Sequence, residues 1–220
     1  SAWAAQTIKW SMQGDSLTLD PHAQNEGPTT QVSRQVYEAL VQRGLDMKIG
    51  PALATSWKAT DPNTWVFQLR KDAKFSDGSG MTSADVVFSI LRAKQRTSDF
   101  KEYISTVSNV EAVGDYAVKI ITSKPNPILL NQLSNIFIMS KAWSEKNFAM
   151  SPQNWDAGQE TFSATNALGT GPFKITLREP NTKTVFKRNK HWWGEMKDKK
   201  VTQIELLPIK NAATRVAALL

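Results

Sequence analysis

The sequence predicts an α/β fold, and three observations carry that expectation. Segments of period-two alternation and segments of helical spacing interleave along the chain. The 220 residues, 40% of them hydrophobic and 21% charged, are enough for one large domain or two small ones with a buried core. No apolar run reaches the ~18 residues of a membrane span.

The elements follow in order. Residues 6–12 read as a short strand with Ile8, Trp10 and Met12 on one face, broken at Leu19-Asp20-Pro21. Thr29 or Thr30 can cap a helix running to about Gln42, since Val32, Val36, Tyr37, Leu40 and Val41 recur at helical spacing and Gly44 follows. Residues 51–58 turn into a short element. After Asp61-Pro62-Asn63, residues 64–70 alternate as a strand with Trp65, Phe67 and Leu69 together. Thr82 and Asp85 form a capping box that opens a helix to about Lys94, with Val86, Val87, Ile90 and Leu91 inward. Residues 107–113 and 116–122 flank Gly114-Asp115 as a hairpin.

Pro125-Asn126-Pro127 ends that sheet, and short helical stretches around Ile128 and Lys141 follow. Strands are expected at 173–178, 183–188 and 201–207, the first two joined by the turn Glu179-Pro180-Asn181-Thr182. Asn211 can cap a last helix whose apolar stripe runs to Leu220 without a closing Gly, so the chain reads as truncated.

Composition excludes several chemistries. There is no cysteine, hence no disulfide scaffold, thiolate metal site or thiol nucleophile. The two histidines, His22 and His191, are far apart, and no metal or other cofactor is called for. Gly169-Thr170-Gly171 lacks a following Gly-Lys-Ser/Thr, and Pro172 removes an amide that a phosphate cradle needs, so a tight start of a strand is expected there. No Gly-x-Ser-x-Gly elbow occurs and no carboxylate pair stands out, so no catalytic residue is expected and the protein is not read as an enzyme.

The net charge is +7, and five of those charges sit between Lys183 and Lys200, where seven basic residues face two acids. With Trp192-Trp193 for stacking, this stretch could make a nucleic-acid-binding module, whereas a solvated basic face is the plainer reading. The Trp content, eight residues, also suits a sugar-binding cleft or an ordinary core. Ser1-Ala2-Trp3-Ala4-Ala5 carries the Ala-x-Ala pattern left near a secretory cleavage site, and a tag remnant reads equally well, since no charged n-region or apolar h-region is present.

The order of motifs adds a resemblance. Leu19-Asp20-Pro21-His22, Tyr37-Glu38-Ala39-Leu40-Val41 and Pro51-Ala52-Leu53-Ala54-Thr55-Ser56-Trp57 are followed by Trp65-Val66-Phe67-Gln68-Leu69-Arg70 with Phe75-Ser76-Asp77-Gly78. Then come Thr82-Ser83-Ala84-Asp85-Val86-Val87-Phe88-Ser89, Gly169-Thr170-Gly171-Pro172-Phe173, and Lys187-Arg188-Asn189 with Trp192-Trp193-Gly194. In register across nearly the whole chain, they resemble the family 5 extracellular solute-binding proteins, the peptide and nickel receptors of bacterial ABC importers.

The resemblance implies a type II periplasmic-binding-protein-like clamshell, with lobe I at residues 1–45 and 166–220, an inserted α+β domain at 46–165, and a second lobe missing from this chain. It implies an exported, periplasmic monomer that captures a peptide-like solute and hands it to ABC permease subunits, with no nucleic-acid partner. An oligosaccharide or other small solute is the rival within the same fold. The residues it assigns to the ligand are Asn25, Glu26, Gly27 and Pro28, which lie along an extended peptide, and Tyr103 as a wall residue. The residues that pair a peptide's charged ends belong to the missing lobe, so the fragment alone is expected to bind weakly.

Overall fold

The two ends of the chain meet in one sheet. The computed structural model describes residues 6–195 and 200–219. The export pattern at residues 1–5, Lys197 and Lys199 of the basic run, and Leu220 lie outside the described residues. Strand β1 (Gln6–Met12) pairs in parallel with β10 (Val201–Pro208), and β10 continues antiparallel into β9 (Lys183–Arg188) and β8 (Phe173–Glu179). A parallel neighbour needs a crossover, and here everything between residues 12 and 201 supplies it.

The middle of the chain builds a second four-stranded antiparallel sheet, in the order β4 (Ala54–Asp61), β5 (Thr64–Leu69), β7 (Ala117–Thr122), β6 (Val107–Ala112). Its two hairpins fall at Asp61-Pro62-Asn63 and Gly114-Asp115, as the turn residues require; Gly114 has φ +66°, a conformation that costs glycine little. Helix α2 (Ser83–Ala93) opens with the expected capping box, Thr82 N–H donating to Asp85 Oδ2 at 2.8 Å. Val86 and Ile90 are inward as expected, but Leu91 faces out and its place is taken by Phe88 and Arg92.

Helix α1 departs from its expected bounds. It spans Gly27–Val36, capped by the Glu26 carboxylate, and Val41–Arg43 is instead strand β2, paired with β3 (Ile49–Pro51). Gly44 therefore sits in a hairpin turn rather than ending a helix. Two cores explain the misleading periodicity. Val32, Val36 and Tyr37 pack with Phe137, Phe173 and Phe186 under the first sheet, while Leu40 and Val41 belong to the core of the second, with Leu53, Phe67 and Ile90. The chain unwinds at Tyr37, whose backbone is extended, to move from one core to the other.

Gly169-Thr170-Gly171 is a strand start, not an anion cradle. Gly171 N–H donates to Val36 O at 2.8 Å, and a Cβ on Gly169 would lie 2.0 Å from that same oxygen. Short helices α3 (Leu129–Leu133), α4 (Lys141–Lys146) and α5 (Phe162–Thr165) fill the segment before β8, and α6 (Ala212–Leu219) starts from Asn211, whose Oδ1 accepts from Thr214 N–H.

Candidate functional site

The loop from β1 to α1 is held from below by a buried ion pair. Asp20 and Arg92 are wholly buried, with Arg92 Nη1 2.8 Å from Oδ1 and Nη2 2.6 Å from Oδ2. Burying two charges costs several kcal/mol unless every remaining lone pair and proton finds a partner. Here they do: Asp20 also accepts from His22 N–H, Gln153 N–H and Ser163 Oγ, each at 3.0 Å, and Arg92 donates to Ala149 O and Ser151 O. Burial raises the Asp20 carboxyl, but the charge and hydrogen bonds of Arg92 outweigh it and hold the group well below the usual carboxylate range.

His22 completes the cluster. Its Nε2 lies 2.9 Å from Phe137 O, an acceptor, so that nitrogen carries the proton and Nδ1 accepts from Arg92 Nη1 at 3.0 Å. Burial first, and the neighbouring guanidinium second, lower its pKa to about 4. The imidazole is thus a neutral spacer that orients Arg92.

From this cluster the candidate ligand-facing residues are raised in steps. The His22 ring meets Phe100 edge-on at 6.5 Å, and Phe100 stacks on Tyr103 at 5.9 Å. Asp99 N–H donates to His22 O, and Asp99 Oδ2 accepts from Asn25 N–H at 3.4 Å. The result brings Asn25 Nδ2 to 3.3 Å from the Tyr103 hydroxyl, across 78 residues of sequence. Tyr103 lies on a separate 3₁₀ turn, Lys101–Ile104, beyond the end of α2.

Glu26 and Pro28 have local work. The Glu26 Oε1 accepts from Thr29 N–H at 2.6 Å and caps α1, and Pro28 sits in the first turn, where no amide is needed. Gly27 is exposed, and a Cβ added there meets nothing within 4 Å. Asn25, Gly27 and Tyr103 therefore form the open part of the candidate set.

A second cluster went unread in the sequence. Glu38 Oε1 accepts from Trp192 Nε1 at 3.0 Å, while Oε2 accepts from Trp193 Nε1 at 3.0 Å and from Thr170 Oγ1 at 2.8 Å. Arg70 lies over the Trp193 ring at 3.3 Å. Burial raises the Glu38 carboxyl against the opposing pull of these donors and Arg70. Both indole N–H groups are thus committed, and Arg70 covers one face of Trp193. Glu38 follows Tyr37 and Thr170 precedes β8, so one carboxylate ties together the two places where the chain passes between the sheets.

Comparison with known proteins agrees with this architecture. A family model described as bacterial extracellular solute-binding proteins, family 5 Middle, matches residues 48–220. The periplasmic murein peptide-binding protein MppA of Escherichia coli K12 is 28% identical over 231 residues, covering 96% of this chain and 41% of MppA. The periplasmic oligopeptide-binding protein OppA of the same organism is 27% identical, with the same coverage. The structure of the PBP AgaA in complex with agropinic acid, from A. tumefaciens R10, superposes with a TM-score of 0.85 at 26% identity, covering 97% of this chain and 42% of AgaA. The chain thus spans about two fifths of the length of these relatives.

Proposed function

The chain belongs to the family 5 bacterial extracellular solute-binding proteins, and from that membership we propose that it is part of the substrate-binding component of an ABC importer, which captures a peptide-like solute in the periplasm and delivers it to membrane permease subunits. The step is binding and release, with no bond made or broken. In this reading residues 1–45 and 166–220 are lobe I, residues 46–165 are its inserted domain, and a second lobe closes on the solute by hinge motion. The protein acts as a monomer.

One observation carries the reading: Asn25 and Tyr103 converge beside an open backbone at Gly27. An extended peptide laid along residues 25–28 could approach the main chain most closely at Gly27, whose N–H is among those that the first turn of α1 leaves without an intrahelical partner. Asn25 and Tyr103 would border that track. The relatives named for murein peptides and oligopeptides support a peptide. AgaA, which holds agropinic acid, supports a second reading in which the same wall takes a non-peptide small solute.

Calorimetry on the full-length protein with tri- to pentapeptides tests this. Gly27→Val directs a branched side chain into open space, so the fold is kept while the track is blocked, and Kd rises at least about tenfold. Tyr103→Ala weakens binding in the same direction. Unchanged affinity in Gly27→Val contradicts the reading. Residues 1–220 alone offer one wall and bind no tighter than about millimolar, because sites hold a ligand by burying most of its surface.

A further inference from the structure

A cleft of about 610 Å³ opens between the loop after β1 and the segment before β8. One wall is the loop at residues 15–17, which follows β1, with the β8–β9 turn at 180–181; the other is the segment from Gln153 to Thr165. It lies at the carboxyl ends of β1 and β10, the edge at which open α/β sheets hold ligands. The loop that forms this wall packs against the end of the track: Leu17 N–H donates to Thr29 Oγ1 at 2.9 Å, Thr29 is two residues past Gly27, and a Cβ on Gly14 would lie 3.5 Å from Pro28 Cγ. An extended chain advances about 3.3 Å per residue, so a peptide on residues 25–28 can set a side chain into the cleft within one or two positions.

The chemistry of its lining selects the guest. Arg178 grips Asp15 at 2.7 and 2.8 Å and Ser16 O at 2.6 Å, and Asn181 N–H donates to Asp15 at 2.6 Å. Across the cleft, Gln153 Oε1 accepts from Thr18 Oγ1 at 2.7 Å, its Nε2 donates to Gln159 O at 2.8 Å, and its backbone N–H donates to Asp20. These polar groups satisfy one another and leave little for a ligand to hydrogen-bond. Three apolar side chains are left open to a guest: Leu17, Trp155 and Phe162 are 47%, 37% and 44% exposed, and all three line the same cavity. Clustered exposed apolar side chains in a concavity mark a binding surface. Glu160 also lines the cleft and opposes an acidic guest.

We propose that this cleft is a side-chain specificity pocket, in which Leu17, Trp155 and Phe162 receive one bulky apolar side chain of a peptide held along residues 25–28. The proposal rests on the peptide reading of the solute site. Burying an aromatic side chain there improves affinity by a factor of about ten or more.

The test is calorimetry on the full-length protein with tetraalanine, the four tetrapeptides that carry one Phe among alanines, and the same four with Asp. At one position Phe binds about tenfold tighter than Ala, and Asp binds more weakly than Ala. Trp155→Ala, and independently Leu17→Ala, remove most of the Phe advantage and leave tetraalanine affinity unchanged. Two variants guard against misfolding of one, and an unchanged thermal midpoint checks both. Equal affinity for Ala and Phe at all four positions overturns the pocket while leaving the peptide site standing, as does equal weakening of both peptides by both variants. Failure of every peptide to bind overturns the peptide site and this pocket together.

Discussion

His22 is a residue whose charge state between pH 4 and 6.5 depends on the fold. Its pKa is about 4 in the folded protein against 6.5 unfolded, so between those values the unfolded chain binds a proton that the folded one refuses. Stability therefore falls as pH drops from about 6.5 to 4, by at most about 1.4 kcal/mol per pH unit from this group. Asp20, whose carboxyl is lowered, contributes stability above its unfolded value and loses it only in stronger acid. Glu38 and Asp85 are raised, so their effect has the opposite sign just above the ordinary carboxylate range. The His22 part is thus a difference between proteins: denaturant unfolding at pH 4.5 to 7.5 gives a shallower loss in His22→Gln than in the parent. Parallel curves would mean that His22 is not buried neutral. None of this was legible in the sequence, because Asp20 and Arg92 are 72 residues apart and the distance that matters is between side chains.

Elements were legible where local chemistry decides and illegible where two cores compete. The Thr82–Asp85 capping box and the Gly114-Asp115 turn need only neighbours within a few residues, and both stand where expected. The end of α1 needed knowledge of where Leu40 and Val41 go, and helical spacing alone could not separate two cores that happen to continue one stripe. At Gly171 the reading of a tight strand start has a measurable consequence. A Cβ there would lie 2.7 Å from the Val36 carbonyl carbon and 2.9 Å from Gln35 O, both backbone atoms. Gly171→Ala is expected to destabilise the fold by more than about 2 kcal/mol in denaturant unfolding, in the range of strain from overpacking. A change under about 0.5 kcal/mol would show that the two backbones separate freely.

At the scale of the whole molecule, the first sheet gathers both ends of the chain and the second is built from its middle, with Glu38 tying the two passages between them. The pairing of β10 with β1 closes the first sheet. The proposed solute wall depends on it, since residues 25–28 come from the loop before α1 and Tyr103 from the segment between α2 and β6. The contact of Asn25 with Tyr103 and the apolar cleft beyond Thr29 both needed coordinates, for each joins segments that no sequence window contains. Amide hydrogen exchange on the full-length protein, with and without a saturating peptide, reads the proposed track directly. Slowed exchange at residues 24–27 and around Tyr103, with Gly27 among the protected amides, is the expected result; exchange there that is indifferent to peptide, while protection appears elsewhere, would contradict it.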